Sequence, residues 1–402
     1  MIILLLFAYA VYILHFNNFH EISINKSSYA SIISTSLQLP LSSEFCIDWN
    51  DETADEWWSN NPTYIVTSET KTHFCFSKMQ NEEKIHFFQS LHDIQYNTSN
   101  CHNTITQYMW SSGLGADISN VNLGLVMSQR LHRPFQVTLK EGNLWHYAAF
   151  KEEYRKGRDP VCPTADMFCY FLPLGICPAG KVETKVPDFG YVSNEDLFDP
   201  WLREYSMRPQ RWLRKRIFDN IHNDNAITSM PTSEQQCAVI HIRRTDVVLH
   251  GSLSRKYYPV EAYLTKLQKS FPTVKNILLF TDDANAIEEA TDLHPDYHWM
   301  YFQKKRHRGS EGGWENQIPS DDPADEFISM LSEFELAKSC DILVYTTSGF
   351  ANIIQSSMKA TGKFVHLLQL DDERYAESSK NRDSEKELNK LLLAKRKQER
   401  EK

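Results

Sequence analysis

The sequence predicts an α/β protein of two domains whose C-terminal half is a doubly wound parallel sheet. The chain has 402 residues, more than one hydrophobic core usually supports. Its composition is that of a folded body: 41% hydrophobic and 24% charged, with 14 glycines and 16 prolines scattered along it, which excludes a disordered, collagen-like or multispanning chain. From Cys237 onward, short β-rich runs alternate with amphipathic stretches, the pattern of parallel strands joined by crossover helices.

The strands are predicted at Cys237–Ile242, Asn276–Thr281, 298–302, 341–346 and 363–367, with helices at 259–271, 284–290, 324–339 and 350–358 between them. In the third helix Phe327, Met330, Leu331 and Phe334 recur at i, i+3, i+4 and i+7, one apolar stripe for the sheet. This places the doubly wound domain at 230–370 and a mixed α/β domain, dense in aromatics and cysteines, at 45–229. The tail at 371–402 mixes both signs of charge and is expected as a solvated helix or disordered segment.

Residues 1–16 (MIILLLFAYAVYILHF) contain no Asp, Glu, Lys or Arg and are expected to enter a bilayer. At ~1.5 Å per residue they cover about 24 Å of a ~30 Å hydrocarbon core. Anchor and cleaved signal both remain open; the small-x-small site Ala8-Tyr9-Ala10 lies inside the apolar run, which favours an uncleaved anchor. Residues 17–44, rich in Ser, Asn and Ile, read as a stem. Cysteines crowd at Cys162, Cys169 and Cys177 and at Cys46, Cys75 and Cys101, where disulfides fit a secretory chain, whereas Cys237 and Cys340 start apolar strands and read as small buried hydrophobes. Asn25-Lys26-Ser27 and Asn97-Thr98-Ser99 are N-glycosylation sequons. A formal charge of -9 gives no drive toward polyanions, so no nucleic-acid partner is expected.

Ligands of doubly wound domains bind at the carboxyl ends of the strands. The first strand runs into His241-Ile242-Arg243-Arg244-Thr245-Asp246, two guanidiniums that would chelate a diphosphate, with Asp246 orienting one of them. The second ends in Thr281-Asp282-Asp283, which would cap the next helix or hold a divalent metal; capping is preferred. The fourth runs into Thr346-Thr347-Ser348-Gly349 before a helix, an anion site. No GxGxxG follows a strand, and GxxxxGK[ST], HExxH and GxSxG do not occur, which argues against dehydrogenases, P-loop enzymes, zinc proteases and ordinary serine hydrolases.

Tyr205-Ser206-Met207-Arg208-Pro209-Gln210-Arg211-Trp212-Leu213, followed by the His241–Asp246 run, resembles the eukaryotic alpha-1,6-fucosyltransferases, which core-fucosylate N-glycans. Gly113-Leu114-Gly115, Thr138-Leu139, Trp145-His146-Tyr147-Ala148, Thr281-Asp282-Asp283, and Leu343-Val344 with Thr346 and Ser348 extend the resemblance over residues 105 to 370. It implies a two-domain GT-B-like glycosyltransferase with a Rossmann-type C-terminal half, taking fucose from GDP-fucose with inversion and without a metal or other cofactor. It further implies a glycan or glycoprotein acceptor and a type II Golgi membrane protein with a lumenal body. Arg243 would then contact the donor diphosphate, aided by Arg244; His241 and Glu333 would contact guanine; and Gly113, Gly115, Asp282, Asp283, Thr346 and Ser348 would line the donor site. After Asp246 the family carries a lysine and a glutamate, whereas this chain has Val247-Val248-Leu249-His250-Gly251, leaving His250 as the candidate base. A chitin-like or protein acceptor, or a non-catalytic sugar-nucleotide binder, are the competing readings.

Overall fold

The five predicted strands of the C-terminal half pair in one parallel sheet, as their continuous apolar runs require when helices cover both faces. In the computed structural model, the described residues are 82–109, 113–139, 145, 147, 166–182, 190–209, 213, 216, 217, 220, 221, 236–245, 253–308, 323–370 and 376–400. The expected anchor at 1–16, the stem at 17–44, Asp246 and His250 lie outside them.

Helix α1 (Glu82–Gln95) leads to a small parallel pair, β1 (Ile105–Tyr108) and β2 (Phe135–Thr138), joined through α2 (Leu114–Leu131). Helix α3 (Pro200–Ser206) starts on Asp199, whose carboxylate accepts from the Trp201 and Leu202 N–H groups, with Pro200 at the first helical position. The chain then runs β3 (Cys237–Ile242), β4 (Leu253–Ser254), α4 (Val260–Ser270), β5 (Asn276–Thr281), α5 (Ala284–Leu293), β6 (His298–Met300), α6 (Pro323–Ala337), β7 (Ile342–Tyr345), α7 (Gly349–Lys359) and β8 (His366–Gln369). Strand β9 (Ala376–Glu377) and helix α8 (Ser378–Arg400) follow.

The sheet order is β6-β5-β3-β7-β8, so the first strand lies centrally and the chain reverses direction across the sheet between β3 and β7. That reversal opens a crevice at the carboxyl ends of β3 and β7, where ligands of such sheets sit. Every residue of β3 is buried, whereas every residue of the edge strand β8 is only half-buried. One core cluster covers a face of the sheet and continues into the N-terminal half. There Phe327 of α6 packs its ring against Trp145, Tyr147, Tyr170 and Phe171, with centroids 4.7–6.0 Å apart. The other face is covered by Val260, Tyr263, Leu264 and Leu267 of α4 and Ala286 and Ala290 of α5.

Two expectations are corrected. Cys237 and Cys340 form a disulfide, because parallel pairing of β3 with β7 sets the first residue of β3 beside the residues just before β7. Cys101 and Cys177 form another, and Cys169 is also disulfide-bonded. The charged tail is docked: β9 pairs antiparallel with β4, and Leu388 and Leu392 of α8 bury against Tyr257 and Leu293. Its apolar positions were outnumbered by charge in the composition, and composition hides a stripe of two residues.

The motif arginine Arg208 is structural. Its Nε donates to the Tyr205 carbonyl at 2.8 Å and its Nη2 to the Pro173 carbonyl at 2.8 Å, with the guanidinium over the Tyr205 ring.

Candidate functional site

The carboxyl ends of β3 and β5 are tied together by one carboxylate. Asp282 accepts from the Arg244 backbone N–H at 2.9 Å, from the Thr245 hydroxyl and from Arg243 Nη1. Arg243 Nη1 also donates to the Thr245 hydroxyl at 3.0 Å. Thr245 holds φ +45, a region that β-branched residues rarely adopt, so the turn after β3 carries backbone strain that the Asp282 contacts offset. Arg243 keeps a quarter of its side-chain surface exposed. It is thus an oriented, accessible guanidinium at the crevice, and among the described residues Asp282 and Thr245 orient it.

Arg244 does something else. Its side chain is 2% exposed and is held by Glu289 at 2.8 Å, the Tyr258 carbonyl at 2.7 Å and Asp283 at 3.4 Å, with Tyr257 stacked over the guanidinium. Burial opposes its charge, but Glu289, Tyr257 and Asp283 more than compensate and hold its pKa above the ordinary value. The expected twin clamp is therefore corrected to a single facing arginine, with Arg244 an internal tie between the β3 end, α5 and the residues before α4. Asp283, as preferred from the sequence, caps α5, accepting from the Asn285 N–H at 3.0 Å. Both aspartates are engaged by arginine and backbone, and through those contacts they support Arg243 and Arg244.

At the reversal point two helices begin in contact. Ser348 caps α7, accepting from the Ala351 N–H at 2.9 Å. Gly113 caps α2, whose first N–H, from Leu114, donates to the Tyr147 hydroxyl at 3.0 Å. A Cβ on Gly115 would lie 2.4 Å from the Gly349 carbonyl carbon. This corrects Gly115, expected to bring backbone toward a ligand: its glycine is required because α2 and α7 touch there, and Gly349 is small for the same reason. Gly115→Ala is expected to destabilise the fold by about 1–3 kcal/mol, the usual cost of an overpacked contact. A thermal melt indistinguishable from wild type would refute the contact.

Each helix start carries partial positive charge and N–H groups that lack intrahelical acceptors. Two such ends side by side favour an anion between or beside them, a charge that buried Asp117 in the first turn of α2 supplies in part. Two further cations stand near: Arg243, and Arg255, whose Nη1 donates to the Thr347 carbonyl at 2.7 Å. Arg255 was missed from sequence. The Ser252-Leu253-Ser254-Arg255-Lys256-Tyr257-Tyr258 run offered only its basic and aromatic residues as a signal.

His241, buried in β3, stacks on Phe350 of α7, and its Nδ1 has no hydrogen-bond partner. Burial, then Arg243 and Arg255, pull its pKa down to about 3. The imidazole is neutral at working pH. Since the folded value lies below the unfolded one near 6.5, His241 contributes stability that is present above pH ~6.5 and lost as pH falls toward 3. His241→Phe is expected to flatten the acid side of the stability profile between about pH 6 and 4, measured as urea midpoint against pH; an unchanged slope would rule this out.

Thr346, just past the end of β7, lies beside the buried Tyr263 hydroxyl of α4. Glu333, read from sequence as a base contact or a solvated charge, is 2% exposed on α6. Lys304 Nζ donates to it at 2.9 Å, and Arg306 stands 3.8 Å away while bonding the Thr281 carbonyl at the β5 end. The carboxylate thus lies beside the same sheet edge, paired with cations from the segment after β6.

No protein-family model and no curated protein matches the sequence. Among solved structures, the chain is similar to NodZ alpha-1,6-fucosyltransferase soaked with GDP-fucose, at 14% identity and TM-score 0.36, over 63% of this chain and 91% of that one. Fucosyltransferase NodZ from Bradyrhizobium in selenomethionine form gives 12% identity and TM-score 0.35 over 63% and 91%. An Arabidopsis thaliana FUT1 mutant in complex with GDP gives 11% identity and TM-score 0.39 over 73% and 80%. These are loose superpositions at low identity, so any functional conclusion stands on the strand-end geometry.

Proposed function

We propose that this chain is an inverting glycosyltransferase that moves fucose from GDP-fucose to a GlcNAc-containing glycan, with alpha-1,6 core fucosylation of N-glycans as the reaction. The observation that carries it is the convergence of two helix starts, Gly113-Leu114 and Ser348-Gly349, with the Asp282-oriented Arg243 at the crevice between β3 and β7. A diphosphate is the anion that fits two N–H-lined helix ends and a forked guanidinium. The motif order supports the identity of base and sugar.

In the reaction the acceptor hydroxyl oxygen forms a bond to fucose C1 while the bond from C1 to the GDP oxygen breaks, and the electron pair leaves with GDP. Arg243 and the α7 start stabilise the charge that grows on the diphosphate, a role a metal would otherwise fill. The hydroxyl proton passes to a base, for which His250 is the candidate. His241 and Glu333 bear on the guanine, and Arg244 positions the β3 end. The enzyme would work from a Golgi membrane on its lumenal side.

The deciding assay is GDP release by the purified chain with GDP-fucose and a GlcNAc-terminated N-glycan, with and without EDTA. Release that EDTA leaves unchanged is the expected outcome. Release abolished by chelator would return Asp282 and Asp283 to metal binding, and GDP-fucose bound without turnover on any acceptor, including chitin oligosaccharides and protein, would make the chain a binder.

A further inference from the structure

Residues 253–258, just before α4, are held by elements from distant parts of the chain. Strand β4 has as its partner β9, which lies beyond the last strand of the sheet: Leu253 pairs with Glu377 and Ser254 with Ala376. Immediately after β4 comes Arg255, bonded to the Thr347 carbonyl one residue before the α7 cap. Next comes Tyr257, 7% exposed, with α8 residues Leu388 and Leu392 buried beside it and the Arg244 guanidinium 4.4 Å from its ring. Tyr258 then accepts from Arg244 Nη2. A tail outside the sheet thus backs the two residues, Arg255 and Tyr257, that join the reversal point to the β3 end.

We infer that the C-terminal strand and helix, residues 376–392, are a positioning element of the anion site, holding Arg255 at the start of α7 as the second cation that faces the donor diphosphate. The inference rests on the nucleotide-sugar reading above and assigns to Arg255 the role that burial removes from Arg244. A side chain whose backbone neighbours are fixed by a strand pair on one side and by an aromatic in a leucine notch on the other is preorganised, and preorganisation is what lets a surface-derived arginine act as a site cation. Without α8, Tyr257 loses its apolar cover, and Arg255 samples solvent instead of Thr347.

The test is a double-mutant cycle on the full chain in detergent, with GDP binding measured calorimetrically. Arg255→Ala is expected to weaken GDP binding by about 10–100-fold, the range for losing a charge-assisted contact. Leu392→Asp, which puts a charge in the notch, is expected to weaken it similarly. Combined, the two are expected to cost no more than the larger alone, because both act through one side chain. Leu392→Met should restore wild-type affinity, and Leu393→Asp, on an exposed position of the same helix, should leave it unchanged. A folded Leu392→Asp protein with wild-type GDP affinity, or two effects that multiply, would overturn the inference. If Leu392→Asp does not fold, Leu388→Ala takes its place in the cycle. If the wild type binds no GDP, the donor reading fails by itself; the positioning claim is then decided by hydrogen exchange across 253–258, which must rise in Leu392→Asp and not in Leu393→Asp.

Discussion

Arg243→Ala is expected to lower turnover of GDP-fucose by at least about 100-fold with the fold retained, as loss of one preorganised charge-stabilising donor does. The side chain is accessible and its orientation is imposed by Asp282 and Thr245, so removing it takes charge from the crevice and little from the core. Arg243→Lys keeps the charge and loses the fork, so partial activity is expected. Asp282→Asn is expected to lower kcat through the same arginine and, because Asp282 also holds the Arg244 N–H, to lower the melting temperature as well. Single-turnover kinetics separate these outcomes from a binding defect. Normal transfer by Arg243→Ala would remove that residue from the mechanism.

The largest stability effect is expected at Glu289. Its two oxygens serve Arg244 at 2.8 Å and the Val260 N–H, so it joins the β3 end to the start of α4 from within α5. Both charges are at most 2% exposed. Glu289→Ala leaves a buried guanidinium with only the longer Asp283 contact for charge, and a destabilisation of about 3–5 kcal/mol is expected, as for breaking a buried pair by removing one partner. Glu289→Gln keeps an acceptor for Val260 and should lose less. Urea unfolding monitored by tryptophan fluorescence measures both; a loss under about 1 kcal/mol for the alanine variant would show that Arg244 is held by its other contacts.

The parallel sheet was legible because its strands are buried on both faces, which forces unbroken apolar runs. β3 and β5 fall where the alternation placed them, while β6 stops two residues short of its expected end and β8 begins three residues late. The strand-end residues follow from the strands, so the positions of Arg243, Asp282 and Ser348 just past β3, β5 and β7 were legible. What each does was less legible, because hydrogen-bond partners come from elements far apart in sequence. Arg244 and Arg243 are neighbours of one type, and their fates part through Glu289, 45 residues on. A signal for Glu289 did exist: with Ala286 and Ala290 it occupies the core-facing stripe of α5, where an acid requires a buried partner. Gly115 looked like a ligand-facing glycine because sequence does not show which backbone approaches it. Arg255 and the docked α8 were invisible for the same reason, since β4 meets β9 across more than a hundred residues.

The staple between β3 and β7 also bears on how the chain is made. Cys237 leaves the ribosome 103 residues ahead of Cys340, and β3, the middle of the sheet, waits as long for its second neighbour. Throughout that interval a thiol at the head of a largely apolar strand is open to exchange with the earlier cysteines, at a stage when long-range parallel pairing is intrinsically slow. Yield in a recombinant host is therefore expected to rise with disulfide isomerase supply.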